Sequence, residues 1–122
     1  TAMPDPFSEE LRKAFIKTCK ELKLKFHEKG TVITIEGPRF STRAESKMFR
    51  IWGADVINMS VAPECILANE AQIPYSAVAM STDYDSWLEG EEPVTWEEIL
   101  EIFGQNVDNV KKLLIATIPK IK

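Results

Sequence analysis

Short apolar runs alternate with longer amphipathic segments along this chain, and this alternation constrains the fold more than any other feature. Residues 31–35, 55–59 and 75–79 are short and rich in β-branched or other apolar side chains, as buried strands are. The segments between them place apolar residues at helical spacing. Strands that alternate with helices favour a largely parallel or mixed twisted sheet with helices on both faces. The sequence therefore predicts an α/β fold.

The predicted element order is α, β, β, α, β, α, β, α. The first helix runs from about Glu9 to Leu22 with Ser8 as its N-cap, and two strands, 24–27 and 31–35, follow it around a short turn. The remaining predicted elements are a helix that begins at Thr42 and stops at Gly53, a strand at 55–59, a helix from Pro63, a strand at 75–79, an acidic loop at 89–93 and a helix from Thr95 to about Ile118.

Each helix start carries a local signal. Thr42 with Glu45, and Thr95 with Glu98, have the spacing of capping boxes, and Pro63 suits the first position of a helix. We expect the apolar residues of each helix to face inward. In the last three helices these are Ala44, Met48, Ile51 and Trp52; Ile66, Leu67 and Ala71; and Trp96, Ile99, Leu100, Phe103, Val107, Val110 and Leu114.

Composition excludes several classes of protein. The formal net charge is −4 and the fifteen Lys and Arg residues form no basic stripe, which argues against a nucleic-acid partner. No apolar run has the length that spans a bilayer, so we expect a cytoplasmic protein without membrane contact. Cys19 and Cys65 form no metal or redox motif, and the sequence leaves open whether they are free or joined in a disulfide.

The chain begins Thr1-Ala2-Met3-Pro4, with neither an initiator Met nor the regions of a signal peptide. The three most apolar predicted strands are few for a sheet that has to form a complete hydrophobic core. We therefore expect residues 1–122 to be one portion of a single larger domain whose sheet is incomplete in this chain.

An acidic loop follows the apolar run 75–79. Asp83 and Asp85 are spaced i, i+2, so in an extended segment they project to the same side. The carboxyl end of a parallel strand is where such sheets bind ligands, and a pair of carboxyl groups can both accept and donate hydrogen bonds, as the amino edge of adenine requires. Alternatively, the pair only fixes a surface turn, and spacing alone favours that interpretation.

The loop 36–41 leaves a predicted buried strand and enters a helix. Phe40 could stack on a planar ring there and Ser41 could hydrogen-bond its edge. Equally, Phe40 could close the helix onto the core as a hydrophobic staple, which the residues alone favour somewhat. His27, the only histidine, lies beside a predicted turn with no nucleophile near it, which indicates a surface residue and not a general base.

Three loops that follow strands share motifs with one known family. They read G-P-R-F-S-T-R-A-E-S at 37–46, G-A-D-V-I-N-M-S at 53–60 and S-T-D-Y-D at 81–85. With these loops the chain, from Met3 to Pro119, resembles the second half of the 5′-methylthioadenosine phosphorylase family, within the trimeric purine nucleoside phosphorylase superfamily. G-P-x-F, A-E-S and G-A-D-x-x-x-M are shared across the superfamily, and the Thr82–Asp85 loop narrows the resemblance to the methylthioadenosine branch.

The resemblance implies a chemistry. In this family phosphate, a co-substrate, attacks C1′ of the nucleoside, and adenine leaves as 5-methylthioribose 1-phosphate forms. The family uses no metal and no organic cofactor, so catalysis rests on positioning, electrostatics and proton transfer to the leaving base. A carboxylic acid beside N7 of the purine then has the task of a general acid.

The resemblance also implies roles for particular residues. Asp83 matches the acid that faces N7, and Asp85 the group that holds the 6-amino substituent. The other matches are Phe40, Ser41 and Thr82 at the purine, Asn58 and Met59 at the ribose, Ser60 at the phosphate, and Trp96, Ile99 and Leu100 in the 5′-alkylthio pocket. Trp96 is bulkier than the family's residue at its position, and Ile99 and Leu100 fit an ordinary helix core equally well.

The family's other phosphate groups have no match in this chain. They are a Gly-rich loop, an Arg-His pair and a Thr, all from the N-terminal half. The resemblance therefore implies a C-terminal portion that is inactive alone, binds an N-terminal portion non-covalently and works in a homotrimer or a multiple of it. Two rival hypotheses remain: a broader purine nucleoside phosphorylase that accepts adenosine, and a non-catalytic nucleoside-binding fragment.

Overall fold

The structure is a computed structural model that describes residues 2–88 and 95–121, except for the side chain of Gln105. Its helices are α1 (Glu9–Glu21), α2 (Arg43–Ile51), α3 (Val61–Glu70) and α4 (Trp96–Thr117), and a 3₁₀ turn, Ile118–Lys120, follows α4. Strands β1 (Val32–Thr34) and β2 (Val56–Asn58) pair in parallel. A mixed α/β chain with parallel pairing is thus confirmed, although most of the described residues in regular elements are helical. The predicted acidic loop 89–93 lies outside the described residues.

The two strands begin and end level with each other. Thr34 lies opposite Asn58 at the carboxyl end of the pair. At the other end, the Asp55 carboxylate accepts a hydrogen bond of 2.7 Å from the amide of Thr31 and so closes the start of the sheet. Because both strands end at the same level, the loops that follow them leave from one edge, which is where ligands bind to parallel sheets.

Two of the four predicted strands are not present in the described structure. Residues 24–27 and 75–79 pair with neither β1 nor β2. A strand requires a neighbouring ladder of backbone hydrogen bonds, and sequence pattern alone does not supply one. In the second of these runs, the carbonyl of Tyr75 accepts a hydrogen bond of 2.7 Å from the amide of Ser8, which lies in no strand.

The local signals for helix ends are mostly confirmed. Ser8 caps α1, and both predicted capping boxes are present at the starts of α2 and α4. Gly53 has φ +83° directly after α2, and the amide of Ala54 bonds to the carbonyl of Phe49, which is the Schellman pattern. The predicted start of α3 is wrong by two residues, since Pro63 is its third residue and not its first.

The predicted inward faces of α2, α3 and most of α4 are wrong. The residues that are buried there are Ser46 and Phe49 in α2, Cys65 in α3, and Leu113 and Thr117 in α4. Apolar residues extend around much of α3, so spacing does not fix which of its sides is covered. In α2 the predicted apolar residues do share one side, but the helix is covered on the side of Ser46 and Phe49. The residues predicted to be inward but found exposed are Ala44, Met48, Ile51, Trp52, Ile66, Leu67, Ala71, Trp96, Leu100, Phe103 and Leu114.

Both cysteines are free and buried, which answers the question that the sequence left open. Burial raises the pKa of the Cys19 thiol above its ordinary value. Among residues 2–88 and 95–121, no helix combines the length and apolar character needed to cross a bilayer. The same residues contain no group of three His, Cys, Asp or Glu side chains arranged to hold a metal ion.

Candidate functional site

The loops that follow β1 and β2 approach each other closely. A Cβ atom placed on Gly37 would lie 2.8 Å from the sulfur of Met59, a distance that side chains do not tolerate. Glycine therefore permits the first loop to pass over Met59. This contact brings the G-P-x-F motif against the residue predicted to line the ribose.

The acidic loop at 81–87, which carries Asp83 and Asp85 and is distinct from the segment 89–93, lies against the loop after β1. Ser41 is buried, and its hydroxyl donates a hydrogen bond of 2.5 Å to Oδ1 of Asp85. The Ser86 hydroxyl donates a second one, of 2.7 Å, to the backbone carbonyl of Ser41. Two residues predicted to hold the purine, 44 positions apart in the chain, are thus brought into direct contact.

A cation–π contact holds the acidic loop on α2. The guanidinium carbon of Arg50 lies 3.5 Å from the ring centroid of Trp87, and Tyr84 meets the same indole edge-on at 6.0 Å. Sequence reasoning missed Arg50 and Trp87, because no local pattern connects residues so far apart in the chain. An aromatic residue shortly after the two carboxylates was the only available hint.

Phe40 and Asp83 are open to solvent. Phe40 is 61% exposed, so it does not act as a staple against the core in the described structure. Asp83 is exposed, and one of its oxygens accepts a hydrogen bond of 2.6 Å from the hydroxyl of the half-buried Thr82. An aromatic face and a carboxylate are therefore both accessible to a ligand. His27 is exposed too, as predicted for a surface residue.

A polar network surrounds the start of α3. Oδ1 of Asn58 accepts hydrogen bonds from the amides of Ser60 (3.0 Å) and Val61 (2.9 Å) and from the hydroxyl of Thr34 (3.2 Å). The Thr34 oxygen in turn accepts one of 3.1 Å from the amide of Ala62. The side-chain oxygen of Asn58 is therefore fully occupied by the protein. Ser60, the predicted phosphate residue, is exposed beside this network.

An ion pair fixes the entrance to α2. The guanidinium of Arg39 donates hydrogen bonds to both carboxylate oxygens of Glu45, at 2.7 and 2.8 Å. The same carboxylate accepts a hydrogen bond of 2.8 Å from the amide of Thr42. The hydrogen bonds from Arg39, and then those from Thr42, lower the pKa of Glu45 to about 2. The loop that carries Phe40 and Ser41 is thus tied at its helical end.

The predicted 5′-pocket residues occupy the first turns of α4. Trp96 and Leu100 are exposed and Ile99 is half-buried. Among residues 2–88 and 95–121, no side-chain hydrogen bond, ion pair or ring contact joins them to the loops described above, and their role in a common pocket stays a prediction. The roles of the remaining predicted site residues also stay predictions, although Ser41 lies with Asp85, and Gly37 with Met59, at one edge of the sheet.

Comparison with known proteins agrees with the resemblance noted from the motifs. The chain is 50% identical over 119 residues to S-methyl-5′-thioadenosine phosphorylase of Xenopus tropicalis, covering 98% of this chain and 42% of that protein. It is 54% identical over 120 residues to the enzyme of the same name from Pyrococcus furiosus, covering 98% of this chain and 46% of that protein. The chain therefore spans less than half the length of these relatives.

Comparison with solved structures likewise finds similarity to methylthioadenosine phosphorylases. A mutant adenosine/methylthioadenosine phosphorylase from Schistosoma mansoni in complex with adenine matches with a TM-score of 0.91 at 33% identity, over 99% of this chain and 50% of that one. Another mutant of it, in complex with methylthioadenosine, matches with a TM-score of 0.87 at 31% identity, over 99% and 48%. The sequence model of the phosphorylase superfamily matches residues 1–119, and the chain belongs to that superfamily.

Proposed function

We propose that this chain is the C-terminal portion of a single-domain phosphorylase that converts 5′-methylthioadenosine and phosphate into adenine and 5-methylthioribose 1-phosphate. It works together with an N-terminal portion, and we call that assembly the parent enzyme. The observation that carries the proposal is the hydrogen bond between Ser41 and Asp85, which joins two predicted purine-binding loops at the carboxyl edge of a parallel sheet. Relatives of that name, 50 and 54% identical to this chain, support it.

The reaction is a displacement at C1′ of the nucleoside. An oxygen of phosphate forms a bond to C1′ while the bond from C1′ to N9 breaks, and its electron pair moves into the purine. The purine leaves as neutral adenine when a proton reaches N7, and Asp83 supplies that proton. Exposure of the Asp83 carboxyl group leaves it accessible to a bound base.

The loop geometry supports the remaining purine contacts that we propose. Asp85, held by Ser41, accepts a hydrogen bond from the 6-amino group, and Phe40 packs on the face of the ring. Thr82 lies beside the base and donates to Asp83. These groups recognise a base that presents hydrogen-bond donors at position 6.

The sugar, phosphate and alkylthio groups extend from the base along the same edge. Met59 and the backbone at Asn58 form a wall for the ribose, and the Ser60 hydroxyl donates to phosphate. The residues proposed to line the 5′-alkylthio pocket are Trp96, Ile99 and Leu100, with a neighbouring subunit of a trimer closing it.

Apolar surface supports the need for an N-terminal portion. Ile51, Leu67 and Ile115 are 84, 65 and 74% exposed, on three different helices. Burial of such side chains is strongly favourable. We propose that the N-terminal portion covers some of them, adds strands to the β1–β2 pair to complete a twisted sheet with helices on both faces, and supplies most of the phosphate site.

A phosphorolysis assay tests the proposal. The parent enzyme is incubated with methylthioadenosine in the presence and absence of phosphate, and adenine is measured by chromatography. We expect phosphate-dependent release of adenine from the parent enzyme and none from this chain alone. Binding of methylthioadenosine without phosphate-dependent release would instead support a non-catalytic nucleoside-binding protein.

A broader purine nucleoside phosphorylase is the second candidate function. It is favoured by the likeness to a Schistosoma mansoni protein named as an adenosine/methylthioadenosine phosphorylase. Rates on methylthioadenosine, adenosine and inosine distinguish the two. A preference of the parent enzyme for adenosine over methylthioadenosine would favour the broader activity.

A further inference from the structure

Ser60 occupies the N-cap of α3, but its hydroxyl does not cap the helix. A serine at that position ordinarily accepts a hydrogen bond from the second or third amide of the helix. The second amide of α3, that of Ala62, already bonds to Thr34, and the third residue is Pro63, which has no amide hydrogen. Within the described residues, the Ser60 hydroxyl is therefore left without an intramolecular partner.

Residues at the ends of the two strands perform the capping instead. Thr34 and Asn58 face each other in the β1–β2 register. Asn58 binds the amides of Ser60 and Val61, and the Thr34 hydroxyl both donates to Asn58 and accepts from Ala62. Every amide hydrogen in the first turn that ordinarily needs a cap has thus been satisfied by the sheet.

This arrangement determines how an anion can bind at α3. Its first amides are occupied, so they are not available to a phosphate as free helix amides are. The side-chain oxygen of a capping serine is turned toward the helix, whereas the Ser60 hydroxyl is not held in that orientation. It can therefore rotate toward a ligand.

We infer that Thr34, Asn58 and Pro63 are positioning residues that keep the Ser60 hydroxyl free to donate to phosphate. This inference rests on the proposed function, which assigns Ser60 to the phosphate. If Thr34 loses its hydroxyl, or if Pro63 is replaced by a residue with an amide hydrogen, a capping site opens and Ser60 turns toward the helix.

A thermal unfolding cycle on the parent enzyme tests the capping directly, without reference to activity. We expect Ser60→Ala to change the Tm by less than about 1 °C, because the hydroxyl caps nothing. In a Pro63→Ala background, where the third amide exists, the same substitution is expected to lower the Tm by about 3 °C or more. Equal losses in the two backgrounds would overturn the inference, since they would mean that Pro63 does not decide whether Ser60 caps.

Kinetics of the parent enzyme test the consequence for phosphate. Thr34→Val and Pro63→Ala are expected to raise the KM for phosphate about tenfold, the value of one hydrogen bond to a charged group, and the KM for methylthioadenosine less than twofold. Thr34→Ser keeps the hydroxyl and should restore the wild-type value. The matched control is Thr117→Val at a different threonine, which is buried and whose hydroxyl donates to the Leu113 carbonyl at 2.7 Å.

The outcomes of these experiments distinguish failure of the inference from failure of the proposed function. Similar phosphate KM values for Thr34→Val and Thr117→Val, or an unchanged value for Pro63→Ala, would overturn the inference while leaving the activity established. If the parent enzyme released no adenine with phosphate, the proposed function would fail, and the unfolding cycle would still decide whether Ser60 is free of capping.

Discussion

The hydroxyl of Ser41 donates a hydrogen bond of 2.5 Å to Asp85, which uses its only hydrogen. Toward a ligand, the Ser41 oxygen can therefore act only as an acceptor. The ionised carboxylate of Asp85 also accepts hydrogen bonds, as does that of Asp83 once it has given its proton to N7. This edge is therefore rich in acceptors. A 6-aminopurine presents donors at position 6, whereas a 6-oxopurine presents an acceptor that these groups would repel.

Substitution of Asp83 by Asn should change which base is used. The amide donates as well as accepts, so it tolerates a 6-oxo group but cannot deliver a proton to N7. For Asp83→Asn in the parent enzyme we expect kcat/KM for adenosine to fall about 100-fold or more and the inosine-to-adenosine ratio to rise. Steady-state rates on the two nucleosides measure both effects.

A matched Asp→Asn control for this prediction exists outside the site. Asp55 binds the amide of Thr31 at the opposite end of the sheet, so Asp55→Asn should leave the inosine-to-adenosine ratio unchanged. An Asp83→Asn enzyme with the parent's preference and rate would contradict the proposed role of the carboxyl group.

Substitution of Gly37 by Ala should disturb the ribose wall. The new methyl group would lie 2.8 Å from the Met59 sulfur, and the flexible methionine must move to make room. We expect the KM for methylthioadenosine to rise several-fold and the KM for phosphate to change less. Gly104→Ala is the control: its added methyl group meets nothing within 4 Å, and it should stabilise α4 by roughly 0.5–1 kcal/mol without altering either KM. Equal kinetic effects of the two substitutions would contradict the assignment of Met59.

Loss of the Arg50 guanidinium should loosen the acidic loop. Its contact with Trp87 is at the protein surface, where a cation–π pair contributes about 0.5–1 kcal/mol, so Arg50→Met is expected to raise the KM for methylthioadenosine by about two- to fivefold. The tryptophan fluorescence should change too. That change should disappear in a Trp87→Phe background. Fluorescence that shifts equally with and without Trp87 would show that Arg50 acts elsewhere.

Local features of this fold could be predicted from the sequence. The capping boxes at Thr42 and Thr95 and the stop at Gly53 depend on residues three or four positions apart, and all three are observed. The parallel register of the strands around Ile33 and Ile57 is consistent with their alternation with helices. These features can be predicted without knowing which residues from distant parts of the chain lie nearby.

Features that depend on distant partners could not be predicted. The run 75–79 is apolar enough for a strand, but strand formation depends on a neighbour that its own residues do not specify. In α2 the buried residues are Ser46 and Phe49, because the contacts of a helix, and not its apolar content, decide which side is covered. The contacts of Ser41 with Asp85 and of Arg50 with Trp87 join residues more than thirty positions apart, which no spacing rule links.

Acid should destabilise the chain partly through Glu45. Hydrogen bonds from Arg39 and Thr42 lower its pKa in the folded state from an ordinary value near 4.5 to about 2. A lowered pKa means that the contribution to stability is complete above about pH 4.5 and is lost as the pH falls toward 2. Urea unfolding between pH 2 and pH 6 should therefore show a decline in stability toward low pH that is smaller in Glu45→Gln. Identical pH profiles for the two proteins would exclude this carboxyl group as a source of acid sensitivity.

Glycine at the ends of α1 and α3 should stabilise the chain. Lys23 and Gln72 follow these helices with φ values of +55° and +57°, in the left-handed region that glycine adopts most readily. Their amides bond back to Lys20 and Asn69, as the residue after a helix does in a Schellman motif. Gln72→Gly and Lys23→Gly should each raise the free energy of unfolding by about 0.5–1 kcal/mol, the relief of backbone strain less the entropy of glycine in the unfolded chain.

Two controls isolate the backbone as the cause of that gain. Gln72→Ala removes the same side chain without relieving the strain, so it should not stabilise the chain. Gly53→Ala places a methyl group at φ +83° where no atom lies within 4 Å, so its expected loss of about 1 kcal/mol can come only from the backbone. Urea denaturation of the four variants measures all of these changes. If Gln72→Ala stabilised the chain as much as Gln72→Gly, removal of the side chain would be the cause and the argument from φ would be wrong.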